Sequence, residues 1–162
     1  IDPDFINQEF ERPITDDLFV GLETEIVELF KSSGNDFAKH LKSNAANYSL
    51  EALISDAFDI LDRYAVGCLF IEKNQFDFKF LATHYKAYRK DFLDTMTQYL
   101  EVFIKRKSVR PLKHLTLSTT LIIETLSWWA MDMRYSSFET NEIPTELAKE
   151  VCMDNIISAY KL

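Results

Sequence analysis

Glycine and proline are scarce in this chain, three and four residues among 162, with the prolines at positions 3, 13, 111 and 144. An all-β fold needs tight turns at short intervals, and those turns draw on these two residues, so their scarcity argues against it. Cysteine is scarcer still. Cys68 and Cys152 are too few and too isolated for a disulfide framework or a zinc site, which makes a reducing cytoplasm the expected setting. No apolar run reaches the roughly 18 residues of a membrane span, because Lys, Asp or Glu interrupts each one, and no membrane partner is expected. A signal-peptide pattern is missing as well.

Positive charge is also in short supply. Eighteen Lys and Arg stand against 26 Asp and Glu, a net charge of −8 that repels polyanions. The one basic cluster, "KRKSVR" at 105–110, suits the last turn of a helix, where cations complement the dipole. Catalytic signatures are absent too. His40, His84 and His114 are scattered, no Glu-x-x-His pair suggests a di-iron bundle, no Gly-rich loop cradles a phosphate, and no Ser or Cys sits in a nucleophile motif. The expectation is a protein without catalytic residues, metal or cofactor.

What the chain does have is apolar bulk: 47% hydrophobic and 14% aromatic residues, ample for one core in one domain. Helical periods account for most of it. Residues 1–15 hold two prolines and no sustained period, so an irregular arm is expected, followed by a helical domain over 16–162. "TDDLFVGLETEIVELFK" puts Leu18, Leu22, Ile26, Leu29 and Phe30 on one stripe, and "SSGN" at 32–35 is expected to stop it, with a short helix over 36–41. Ser49 can cap a helix running to about Glu72. From Phe76 to about Lys107, Leu81, Tyr85, Tyr88, Phe92, Met96, Tyr99 and Phe103 recur at spacings of three and four, as one long helix or two with a joint. Pro111 suits the first turn of a helix that continues to about Arg134, and a last helix follows Pro144. The fold class expected is all-α, an antiparallel bundle of about six helices.

The order of these parts is recognisable. A long helix ending "LSWWAMDMRYSSF", a polar loop, and then "IPTELAKEVCMDNIISAY" resembles the close of the ligand-binding domain of TetR family transcriptional regulators. "SLEALISDAFDILDRYA" and "FLATHYKAYRKDFLDTMTQYLEVF" fit the same domain in number and length. The resemblance covers most of residues 16–162. It implies a homodimer whose last two long helices pair with their copies in a four-helix bundle, a small effector held inside each subunit, and DNA contacted only through a helix-turn-helix head that this chain does not show. The nearest candidate for such a head, "VELFKSSGNDFAKHLKSN", offers only Lys39 and His40 to DNA behind an acidic helix.

Residues 111–134 carry two apolar stripes. Leu112, Leu115, Thr119, Ile122, Leu126, Trp129 and Met133 form one; Leu117, Leu121, Glu124, Trp128, Asp132 and Tyr135 form the other. A helix apolar on two sides is usually buried between layers. Either it is central to a monomer's own core, or the second stripe meets a mate, and the resemblance then puts Leu117, Leu121, Trp128, Asp132, Tyr135, Val151 and Ile156 at the dimer interface. Glu124 has three readings: pairing with a Lys or Arg of a neighbouring helix or subunit, exposure at the stripe's edge, or anchoring a ligand, in which case Glu124→Gln weakens binding.

Tyr85, Tyr88, Phe92, Met96 and Tyr99 are either core or pocket. Tyrosine is an awkward core filler because each hydroxyl needs a partner. Together with His84, Thr116, Thr119, Thr120 and Glu124 they match the usual makeup of a ligand pocket, apolar and aromatic with a few convergent polar groups. The expectation is a cavity for a small apolar or aromatic effector between the aromatic helix, the 111–134 helix and the helix beginning at Ser49. The contrasting reading is an all-helical protein–protein interaction module with a filled interior and a large exposed apolar patch.

Overall fold

The computed structural model describes residues 16–135 and 142–162, with side chains from Gly21 onward. The expected arm over 1–15, the side chain of Leu18 and most of the expected loop at 135–143 lie outside the described residues. Six helices pack together: α1 (Asp16–Ala38), α2 (Leu50–Arg63), α3 (Ala65–Lys73), α4 (Lys79–Lys105), α5 (Leu115–Ser127) and α6 (Thr145–Tyr160). A tighter 3₁₀ turn, Lys39–Ser43, closes α1, and a wider π turn, Trp128–Asp132, extends α5 toward Met133–Tyr135. The all-α bundle expected from the sequence is therefore the fold. Among the described residues no strand forms, and no helix is long and apolar enough to cross a membrane.

"SSGN" does not stop α1, which runs through Gly34 to Ala38. Mid-helix glycine costs ~1 kcal/mol relative to alanine, but the continued helix seats Phe37 against α4, stacked on Phe92 at 4.6 Å and edge-on to Tyr99 at 5.8 Å. Phe30 packs about two turns earlier, stacked on Tyr88 at 4.9 Å. These pairs advance together, so α1 and α4 lie side by side in the same direction. The helix-turn-helix candidate consequently has no turn at its glycine, which lies inside α1.

The helix expected from Ser49 to Glu72 is two. Ser49 caps α2 by accepting from the Ala52 N–H at 3.1 Å, as its position suggested, but the backbone leaves helical geometry at Tyr64 (φ −103°, ψ 10°). α2 can then bury Leu53, Ile54, Ala57 and Phe58, while α3 turns Cys68, Leu69 and Ile71 inward on its own line. The aromatic segment is one helix of 27 residues, about 40 Å at 1.5 Å per residue.

Pro111 is not in the first turn of α5, which begins four residues later with His114 at its N-cap. Proline pushes the preceding residue toward extended backbone, and here that stretch is tied to the end of α6. Val109 bridges to Lys161, the Arg110 N–H donates to the Tyr160 carbonyl, and the Arg110 Nε–H donates to the Ala159 carbonyl at 2.7 Å. α6 runs antiparallel to α2, with Lys149 on Asp59 and Lys161 on Glu51.

α5 resolves the two-stripe pattern. Thr119, Ile122 and Leu126 are buried, whereas Leu117, Leu121, Trp128 and Tyr135 stand exposed. At 100° per residue Leu117, Leu121 and Trp128 fall within about 40° of one another, on the side opposite the buried stripe. The π turn contains the doubled tryptophan, with Trp128 exposed and Trp129 half-buried, and it buries Ala130 and Met131 in the core.

Candidate functional site: a cavity between α2, α3, α4 and α5

A cavity of about 240 Å³ lies where these four helices meet. Ile60, Leu61, Phe92, Leu93, Ile123 and Met131 supply its apolar wall. Tyr64 and Cys68 enter it because of the break at Tyr64; Tyr85 and Tyr88 enter from α4; Thr120, Glu124 and Ser127 enter from α5. The engineered cavity that binds benzene measures ~150 Å³, so this one admits a body somewhat larger than a single ring.

Polar groups converge at one side. Arg89 donates from Nη1 to Glu72 Oε1 at 2.9 Å and from Nη2 to Glu124 Oε1 at 2.8 Å. Glu72 Oε1 also accepts from the Tyr85 hydroxyl at 2.6 Å, and the guanidinium carbon lies 5.9 Å from the Tyr85 ring centroid. α3, α4 and α5 are thus joined by one chain of charge-assisted hydrogen bonds. Burial pushes the Tyr85 hydroxyl far above its ordinary value, with Cys68 and Glu72 adding to the rise. Burial likewise pushes the Tyr88 hydroxyl up to about 12 and the Cys68 thiol to about 11. Burial works against the Arg89 cation, but Tyr85, Glu124 and Glu72 outweigh it and hold the guanidinium charged.

Further in, the cavity wall carries a hydroxyl of a different kind. Thr119, Thr120 and Thr125 each donate to the carbonyl four residues back. Ser127 is buried, lines the cavity, and makes no side-chain hydrogen bond among the described residues. Tyr88, by contrast, is engaged on its far side, its hydroxyl 2.9 Å from that of Ser33.

Of the residues expected in a pocket, Tyr85, Tyr88, Phe92, Thr120 and Glu124 line this cavity. Met96 and Tyr99 do not: they continue the same stripe of α4 past the end of the hollow and are fully buried, Tyr99 donating to the Phe37 carbonyl at 2.5 Å. Thr119 is buried with its hydroxyl turned back on its own helix. Thr116 lies near the start of α5, beside His114. His84 sits against Phe80 and lines a separate hollow between α1 and α4, on the other side of Tyr88 and Phe92.

Glu124 pairs with a cation of a neighbouring helix, the first of its three readings, and is itself largely exposed. The sequence reading missed Arg89, Tyr64, Cys68 and Ser127 as wall residues. Arg89 had one available signal: it interrupts the aromatic helix next to Tyr88, and Glu124 needed a partner. Of the residues expected at a dimer face, Leu117, Leu121, Trp128, Tyr135 and Val151 are exposed and Asp132 is half-buried. Ile156 turns inward with Ala148 and Cys152, because α6 lays that row against the core. Leu147, one turn before Val151, is exposed beside it in the sequence pattern.

Cys68 and Cys152 are both buried and unpaired, and no cluster of three metal-ligating side chains occurs among the described residues. No family model, curated protein or solved structure matches this chain.

Proposed function

We propose that this chain is the effector-sensing and dimerising domain of a TetR-like transcriptional regulator, holding a small apolar or aromatic molecule in the cavity between α2, α3, α4 and α5. One observation carries the reading. α5 lines the cavity with Thr120, Ile123, Glu124, Ser127 and Met131, and on its outer side exposes Leu117, Leu121, Trp128 and Tyr135. A single helix therefore has one face for a ligand and another for a second copy. The π turn lies where the two faces meet: it follows the cavity residue Ser127 and contains both the exposed Trp128 and the cavity residue Met131. A ligand that prefers one setting of α5 biases the geometry of the pair, and so the spacing of DNA-binding heads carried elsewhere, by its differential affinity for the two states.

The test is occlusion. Ser127→Leu adds bulk to a 240 Å³ space without adding a polar group. It is expected to abolish binding of indole or toluene, measured by thermal shift and by chemical-shift changes at Ile123 and Met131, while leaving the fold intact. Binding that persists unchanged, or no binding by the parent chain, refutes the cavity as a ligand site. The second reading, a protein–protein interaction module, draws on Val66, Phe70, Phe76 and Phe80, which are exposed around the α3–α4 corner. A chain that binds no small molecule would favour it.

A further inference from the structure

We infer that the ligand is a small aromatic monocarboxylate bearing a second polar substituent, with its carboxylate taking the place of Glu124 on Arg89 and the substituent meeting Ser127. This rests on the cavity being a ligand site and names the chemistry that fits it.

The charged groups on the cavity wall are Arg89, Glu124 and Lys90, and the Lys90 ammonium is taken up by Asp94 at 2.6 Å. Glu72 does not line the cavity. It grips Arg89 from a neighbouring hollow bordered by Ile71, Gln75, Ala82 and Lys86, and Tyr85 fixes it there. Arg89 is therefore held from behind through Nη1, while Nη2 points to Glu124. The two arms differ in how easily they exchange. Glu124 is 57% exposed and receives one hydrogen bond from Arg89, an ion pair of the kind worth little in water. A ligand carboxylate that replaces it keeps two carboxylates on the guanidinium and lets Glu124 relax into solvent. A cationic ligand has the opposite problem: to reach Glu124 it must sit against a pinned Arg89.

Ser127 supplies the second contact. It lies on the same helix as Glu124, three residues on and about 4.5 Å along the axis. The residue is buried in the fold and lines the cavity, and its hydroxyl has no protein partner among the described residues. The hydroxyl is accessible from the cavity rather than sealed in the core, and a phenol or carbonyl on the ligand offers it a hydrogen-bond partner there. Phe92, Ile123, Leu93 and Met131 add apolar wall to the same cavity, whose volume suits one substituted ring.

The experiment is calorimetric titration of the purified chain with 4-hydroxybenzoate, benzoate, methyl 4-hydroxybenzoate and benzylammonium, repeated on Arg89→Met, Glu124→Gln and Ser127→Ala. The acid is expected to bind roughly tenfold or more tightly than its methyl ester, and Arg89→Met to erase that preference. Glu124→Gln removes the competitor, so it tightens the acid by up to roughly fivefold; this variant guards against a misfolded Arg89→Met. Ser127→Ala is expected to level 4-hydroxybenzoate with benzoate. An ester that binds as well as the acid overturns the inference and leaves the cavity a ligand site, and preference for benzylammonium does the same in favour of a cation. Absence of binding by every probe overturns both.

Discussion

Leu121→Ala gives the sharpest view of the outer face of α5. Leu121 is 58% exposed in the single chain, centred between Leu117 and Trp128 on the same line. Fully burying a leucine contributes ~1.5–3 kcal/mol, so covering the exposed portion contributes about 1–2 kcal/mol per copy. A two-fold interface contains the residue twice, and truncation to alanine removes most of about 2–4 kcal/mol. That corresponds to a dimer Kd weakened by roughly 30- to 1000-fold. The folded chain should scarcely notice, since exposed substitutions away from special features stay within about 0.5 kcal/mol. Sedimentation equilibrium over micromolar concentrations reads the first quantity, and a far-ultraviolet circular dichroism melt under dissociating conditions reads the second. A Kd unchanged within threefold refutes the assignment of this face to a second copy.

Other outcomes follow from the same structure. Tyr99→Phe leaves the Phe37 carbonyl without its buried donor and should destabilise the chain by about 1–3 kcal/mol in a urea titration. Lys107, which ends α4 at φ 62°, is exposed and left-handed, so Lys107→Gly should raise stability by about 1 kcal/mol by relieving the Cβ clash. Tyr88 has its hydroxyl pushed from near 10 up to about 12 by burial. The folded chain then holds more protons than the unfolded chain between these values, so stability is full below pH 10 and falls as pH rises toward 12, by on the order of 3 kcal/mol from Tyr88 alone. Tyr85, raised by burial in the same direction, steepens that fall; denaturant midpoints at pH 9, 10.5 and 11.5 measure it.

Helical periods made the architecture legible, and local signals set several ends: Ser49 caps α2 because a side-chain oxygen two or three residues before an orphan N–H needs nothing else. Signals that depend on the rest of the fold misled. The glycine in "SSGN" reads as a stop, yet Phe30 and Phe37 on either side of it both find aromatic partners on α4, and that packing carries the helix through. Pro111 reads as a helix start, but the backbone around it is already engaged by α6, some 50 residues later in the chain.

The site divided along the same line. Tyr85, Tyr88 and Phe92 share their stripe with Met96 and Tyr99, and a period states which side of α4 faces inward without stating where along 27 residues the interior is hollow. The acid embedded in the apolar helix required a partner, and its partner Arg89 stands 35 residues earlier, a pairing that no local spacing encodes. Sequence periodicity puts Trp128 on the outward line with Leu117 and Leu121, but it does not reveal the π turn within which Met131 is buried.

Native mass spectrometry of the purified 18.9 kDa chain tests the central claim most directly, because one spectrum reports assembly and retained ligand together. The account predicts a dimer at micromolar concentration that takes up one small aromatic molecule per chain, with uptake lost in Ser127→Leu. A strict monomer over that range, with no small molecule bound by either protein, would contradict it.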